Sequence, residues 1–315
     1  MINIKRILCP IDLTPHSGNA LRHGLAMARA YEAELVLLYC ESGSNSGRTQ
    51  QQLGTRKTEL LESILFEQTS PSDLNGSQWR TLVVETDDVG EEITRVAEAE
   101  GAALIVMRSR RRPHRAALLG STAETVCRRA PCPVLVMHSD EHEWVSEGLQ
   151  IDLKRILVAY DFSDYSEVAL NYGLLIAQEH QAELHVLHVL PPRSVNEPEL
   201  AWYPIKGESA YHNTARRLQR AVPAEAHLWC KIKHVVSEGQ AYREILNYAE
   251  NNEIDLISVG AHGAGFGMRA LFGSNVDRVL RQSPCPVLVA RPLRPSSIQT
   301  NLRPNQSNGR HQLAS

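Results

Sequence analysis

Arg155-Ile-Leu-Val-Ala-Tyr-Asp-Phe-Ser-Asp-Tyr-Ser166 restates Arg6-Ile-Leu-Cys-Pro-Ile-Asp-Leu-Thr-Pro-His-Ser17. In both stretches a short apolar run ends at an aspartate, Asp161 or Asp12, and hydroxyl residues follow. The correspondence continues downstream in the same order. Ala33-Glu-Leu-Val-Leu-Leu recurs as Ala182-Glu-Leu-His-Val-Leu, Leu104-Ile-Val-Met as Leu256-Ile-Ser-Val, and Leu119-Gly-Ser as Phe272-Gly-Ser. Ala130-Pro-Cys-Pro-Val-Leu-Val136 is nearly copied as Ser283-Pro-Cys-Pro-Val-Leu-Val289. Order kept over this length identifies a duplicated domain rather than a shared motif.

Within the second copy, Ile156–Tyr160, Glu183–Leu190, Lys231–Val236, Asp255–Val259 and Pro286–Ala290 read as strands. Ser166 offers an N-cap for a helix up to about Glu179, and Tyr242–Glu250 has helical spacing. The shortest strands are almost wholly apolar, as expected when helices cover both faces of a parallel sheet. The sequence therefore predicts an α/β protein: two tandem copies of a five-stranded parallel-sheet, three-layer α/β/α, Rossmann-like domain. The copies occupy residues 1–139 and 153–291. Residues 140–152, acidic and without a clear period, read as a linker. Residues 292–315, rich in Pro, Asn, Ser and Gln, read as a disordered tail, and Ser42–Gly54 as a polar loop.

The 315 residues suffice for two cores of ordinary size, and a net charge of −3 gives no pull toward nucleic acid or a membrane surface. The N-terminus runs straight into a strand without a signal-peptide pattern, and no apolar run approaches the roughly 18 residues of a spanning helix. A cytoplasmic protein is expected. The six cysteines form no C-x-x-C pair and read as buried free thiols.

The segment richest in chemistry is Gly260-Ala-His-Gly263-Ala-Gly-Phe-Gly-Met-Arg-Ala-Leu-Phe-Gly273-Ser274-Asn275, which follows an apolar strand and opens a helix over Asn275–Arg281. Glycines allow close backbone approach to anionic oxygens, and a helix start presents free N–H groups with the positive end of the dipole. A loop merely closing a βα unit has the same composition; its place at a strand's carboxyl end favours ligand binding. It is neither a Walker loop nor a dinucleotide fingerprint.

The pattern Gly260-x2-Gly263-x9-Gly273-Ser274, the strand-then-Asp opening with Ser163 and Ser166, and the closing Ser-Pro-Cys-Pro-Val-Leu-Val strand resemble the universal stress protein family. The resemblance spans about Ile4–His138 and again Leu153–Arg291. It implies the adenine-nucleotide alpha-hydrolase-like version of the fold and ATP as ligand, with Mg or Mn carried by the phosphates. It further implies that Asp161 holds the adenine and ribose side and that Val189 touches adenine through its backbone. Gly260, Gly263, Gly273, Ser274 and Asn275 would wrap the phosphates, and Tyr160, His262 and Val276 complete the expected cofactor-binding set. The alternative for Asp161 is a plain helix-capping or turn aspartate; His262 reads first as a solvent-facing loop residue, with contact to a phosphate or help in slow hydrolysis as its alternative.

In the first copy the two loop glycines become Arg108 and Arg111, within Arg108-Ser-Arg-Arg-Arg-Pro-His-Arg115, while Asp12, Gly120 and Ser121 remain. Two readings stand side by side: a degenerate site with a solvated basic loop, or a recruited anion site. His185 and His188 are an odd number apart in a strand, so they face opposite ways and cannot chelate together. No His/Cys cluster has zinc spacing, and no nucleophile–base pair stands out.

The leading functional expectation is a regulatory ATP-binding, stress-associated factor acting through loop ordering and an unknown protein partner. The alternatives are a slow ATPase or autophosphorylating enzyme, and a nucleotide-independent scaffold. The two closing strands are bare apolar edges. By the resemblance they would pair with each other as an internal pseudo-dimer, with a further homodimer left open.

Overall fold

The computed structural model describes residues 4–12, 14, 17–41, 59–66, 78–109, 120–138, 144–146, 148–192, 208–262 and 273–292. The Ser42–Gly54 loop, Gly263, residues 110–119 of the arginine-rich loop and the tail from residue 293 lie outside the described residues.

The first half runs β1 (Arg6–Pro10), α1 (Gly18–Ala30), β2 (Glu34–Glu41), helical residues 59–66, β3 (Trp79–Glu85), α2 (Val89–Ala99), β4 (Leu104–Arg108), α3 (Ser121–Arg129) and β5 (Val134–Met137). The second half repeats this order. It comprises β6 (Arg155–Ala159), α4 (Asp164–His180), β7 (Glu183–Leu190), α5 (Glu208–Ala221), β8 (Ile232–Glu238), α6 (Ala241–Asn251), β9 (Leu256–Gly260), α7 (Ser274–Gln282) and β10 (Val287–Ala290). Within each half every strand pairing is parallel.

The ten strands form one continuous sheet in the order β3-β2-β1-β4-β5-β10-β9-β6-β7-β8. Its two halves meet where the closing strands pair antiparallel, Val287 opposite Val136, Leu288 opposite Leu135 and Val289 opposite Val134. The apolar edges read from the sequence are thus covered by each other, which removes two unpaired ladders.

Strands β4, β5, β9 and β10 are buried along almost their whole length, because helices cover both faces. One core layer packs α1, residues 59–66, α4 and α5 against one face, through residues such as Leu21, Leu61, Leu170 and Leu218. The other packs α2, α3, α6 and α7 against the opposite face, through Ile93, Val126, Ile245 and Leu280. Each layer runs through both halves. No described helix is long and apolar enough to cross a membrane.

The connector is more structured than its composition suggests. Trp144 and Val145 are buried, Val145 bridges Ile151, and Trp144 stands edge-on to His23 of α1 with ring centroids 4.5 Å apart. Arg22 and Arg29 donate to the carbonyls of Val145 and Gly148. Leu149 and Leu153 are also in the core, so five apolar side chains, with Ile151 half-buried, anchor a stretch that lacks periodicity. All six cysteines are free, and all but Cys40 are buried.

Candidate functional site

In an order of 3-2-1-4-5 the chain leaves β1 to one side and returns through β4 on the other, so the connections after these two strands diverge and leave a crevice at their carboxyl ends. In the second half the crevice lies between the ends of β6 and β9.

Asp161 follows β6. Its Oδ1 accepts hydrogen bonds from the Ser163 amide (3.0 Å) and hydroxyl (2.5 Å), a turn that reverses the chain with Phe162 at φ 64°. Ser163 Oγ then accepts from the Ser166 amide at 3.2 Å. The N-cap of α4 is therefore Ser163, not Ser166 as the sequence suggested. The Asp161 turn ends sooner than the apolar pattern indicated, and Ser166 sits inside the first turn, donating to the Ser163 carbonyl.

Beside the turn, the Phe162 ring leans on His188 (4.7 Å) and meets Tyr160 edge-on (5.1 Å), with the Arg217 guanidinium 4.0 Å above it. The Tyr160 hydroxyl donates to Glu167 at 2.6 Å. His188 Nδ1 lies 2.8 Å from the Tyr160 carbonyl, which only accepts, so this nitrogen carries the proton. Burial holds the His188 pKa below its ordinary value, which favours the neutral ring.

Gly260 ends β9 against the start of α4. A Cβ there would lie 2.6 Å from the Tyr165 carbonyl carbon and 2.7 Å from its oxygen. The glycine is thus required by strand–helix packing, independently of any ligand. His262 packs edge-on against Tyr165 (4.9 Å) and is half-buried rather than wholly solvent-facing; burial, aided by Arg291, lowers its pKa. Across the crevice α7 begins at Ser274, with Gly273 as an N-cap that supplies no side-chain bond. Its first turn, Ser274, Asn275 and Val276, borders the crevice, and the cap residue has no side chain to offer the first amides.

These parts enclose a cavity of about 370 Å³. Tyr160, Asp161, Val189, Gly260, His262, Gly273, Ser274, Asn275 and Val276 all line it, so every sequence-predicted site residue within the described chain converges on one space. The structure adds Ala159, Ser166, Leu187, His188, Ala241, Ile245, Val259 and Val279. Leu187, Ile245, Val259 and Val279 form an apolar wall suited to a flat ring. Their only sequence signal was membership of core strands and helices. Among the described lining residues none is Lys or Arg, so an anion here depends on the α7 dipole and backbone N–H groups. Among the described residues no group of three or more His, Cys, Asp and Glu side chains could hold a metal ion.

The first half carries a matching cavity, also about 370 Å³, lined by Asp12, Ser17, Arg108, Ser109, Gly120 and Ser121 among others. Asp12 Oδ1 accepts from the Thr14 amide (3.2 Å) and hydroxyl (2.6 Å) and from the Ser17 hydroxyl. Arg108, in the place of Gly260, turns back into this cavity and forms an ion pair with Asp12 at 3.9 Å. It brings a cation to a wall whose counterpart has no Lys or Arg among its described lining residues. The helix that follows Asp12 begins at Gly18, three positions later than the equivalent of Asp164.

A tandem α/β fold with one crevice per half at the topological switch point defines a two-domain protein with two matching cavities. The sequence matches the profile of the universal stress protein family twice, over residues 3–138 and 152–291, and the chain belongs to that family. Among its relatives is the universal stress protein YxiE of Bacillus subtilis, 31% identical over 145 residues, which cover 44% of this chain and 98% of that one. Universal stress protein Rv2623 of Mycobacterium tuberculosis is 32% identical over 178 residues, 55% of this chain and 56% of its own. The crystal structure of a universal stress protein from Archaeoglobus fulgidus DSM 4304 superposes with a TM-score of 0.64 at 25% identity, covering 91% of this chain and 96% of that one.

Proposed function

We propose that the second cavity binds an adenine nucleotide, ATP with a divalent Mg or Mn ion carried by its phosphates, and that the protein is a regulatory factor of the stress response. The observation that carries this reading is the convergence of nine sequence-predicted residues on one crevice at the carboxyl ends of β6 and β9. The apolar wall of Leu187, Ile245, Val259 and Val279 suits the base, Asp161 the ribose hydroxyls, and the start of α7 the phosphates. Bound phosphates would order the loop between Gly260 and Gly273 and so present a surface to a protein partner. The reading assigns no catalytic residue. It places the protein in the cytoplasm, in keeping with six unpaired thiols.

Calorimetry with ATP and Mg²⁺ tests it on the full chain and on Ser274→Glu. Ser274 is exposed at the first turn of α7, where a carboxylate suits the helix dipole but repels phosphate. One saturable site per chain, lost in the variant while its thermal midpoint is kept, is the expected result. Absence of binding to the wild type by any adenine nucleotide would overturn the reading and leave a nucleotide-independent scaffold.

A further inference from the structure

Two side chains cross the junction between the halves at corresponding positions. His138 follows β5 and is buried; Arg291 follows β10 and is half-buried. His138 Nδ1 lies 3.1 Å from the carbonyl of Ser109, the residue just after Arg108 in the wall of the first cavity. Its Nε2 meets the carbonyl of Leu280, in the last turn of α7. Reciprocally, Arg291 donates from Nη1 to the carbonyl of Ala130, the C-cap of α3, at 2.9 Å.

The last carbonyls of a helix have no partners within it, and a donor there, above all a cationic one, complements the negative end of the dipole. α7 and α3, whose starts line the second and first cavities, are therefore each met at the far end by a side chain of the opposite half. α7 is only nine residues long, so its start and its capped end are about 13 Å apart. A rigid rod this short cannot shift at one end without moving the other.

We propose that His138 is a positioning residue for the second cavity: the first half, through this ring, sets where the start of α7 stands and so how well the second cavity holds an anionic ligand. The two cavities are thereby coupled, because the carbonyl of Ser109, in the wall of the first, faces the other nitrogen of the same ring. This inference rests on the proposed nucleotide reading for its ligand, though not for its structural content.

The test uses His138→Ala and His138→Gln in the full chain, with Arg22→Ala as a control that loosens the connector without touching α7. ATP affinity is read by calorimetry with Mg²⁺, and the opening of α7 by hydrogen exchange of residues Ser274–Gln282. The expected result is ATP affinity weakened about five-fold or more in His138→Ala, with partial recovery in His138→Gln, which restores one donor. Exchange in α7 should rise in step, while Arg22→Ala leaves both readouts unchanged. Unchanged affinity and unchanged α7 exchange in His138→Ala would overturn the proposal. A fall in affinity shared equally by Arg22→Ala would also overturn it, showing general loosening. Should the wild type bind no ATP, the nucleotide reading fails. The exchange measurement then still decides whether His138 holds α7.

Discussion

Replacing Gly260 by alanine separates a packing role from a ligand role at the most suggestive glycine of the sequence. The added Cβ would stand 2.6 Å from the Tyr165 carbonyl carbon, 2.7 Å from its oxygen and 2.8 Å from its Cβ. Two of these three atoms are backbone within the first turn of α4, so no side-chain rotation relieves the overlap. Either the end of β9 or the start of α4 must move by several tenths of an ångström. Overpacking of this kind costs about 1–3 kcal/mol, and the rigidity of both neighbours argues for the upper half of that range. Gly120 is the natural control. It is the N-cap of α3 at φ −56°, and a Cβ there meets nothing within 4 Å, so Gly120→Ala should cost only the cap preference for glycine over alanine, about 0.5–1 kcal/mol. Urea unfolding of the three proteins without nucleotide measures the difference directly. A Gly260→Ala protein as stable as Gly120→Ala would refute the packing argument and return the glycine to a role seen only with ligand.

Two further outcomes follow from the same contacts. Ser163→Ala removes the N-cap of α4 and the hydroxyl bond to Asp161, and should destabilise the protein by about 1 kcal/mol in chemical unfolding, whereas Ser166→Ala, lacking a capping role, should cost less. Burial, opposed by the Asn19 carbonyl, brings the His23 pKa down to about 4, below the 6.5 of the free ring. With the folded value the lower one, its contribution is present above pH 6.5 and is lost as pH falls through about 4. Unfolding free energy should therefore drop by up to about 3 kcal/mol across that window, and less so in His23→Leu; parallel pH curves for the two proteins would count against it.

The sequence was most legible where one local signal sufficed. Apolar runs such as Leu256–Val259 and Val287–Ala290, too short for helices and without polar alternation, read as strands covered on both sides, and repetition of their order revealed the duplication. The crevice was legible because strand ends and a helix start are local features, and topology brings them together. Three things were hidden because they depend on what lies across space. Gly260 reads as a ligand glycine until the Tyr165 backbone is seen against it. Residues 140–152 show no period, yet Trp144 finds His23 more than one hundred positions earlier. Leu187, Ile245 and Val279 look like any core side chain, and only the fold turns one edge of that core into a cavity wall.

The antiparallel seam of Val134–Val136 with Val287–Val289 has a consequence for how the two copies can differ. Were the copies separate chains, random association would mix like with like, and their proportions would follow dilution. Joined through residues 140–152, each copy meets one unlike neighbour at a local concentration fixed by the connector, so pairing is insensitive to how much protein is present. A substitution in one copy stays there. Arg108 can occupy one crevice and Gly260 the other in every molecule, a one-to-one asymmetry that no assembly of identical subunits could hold.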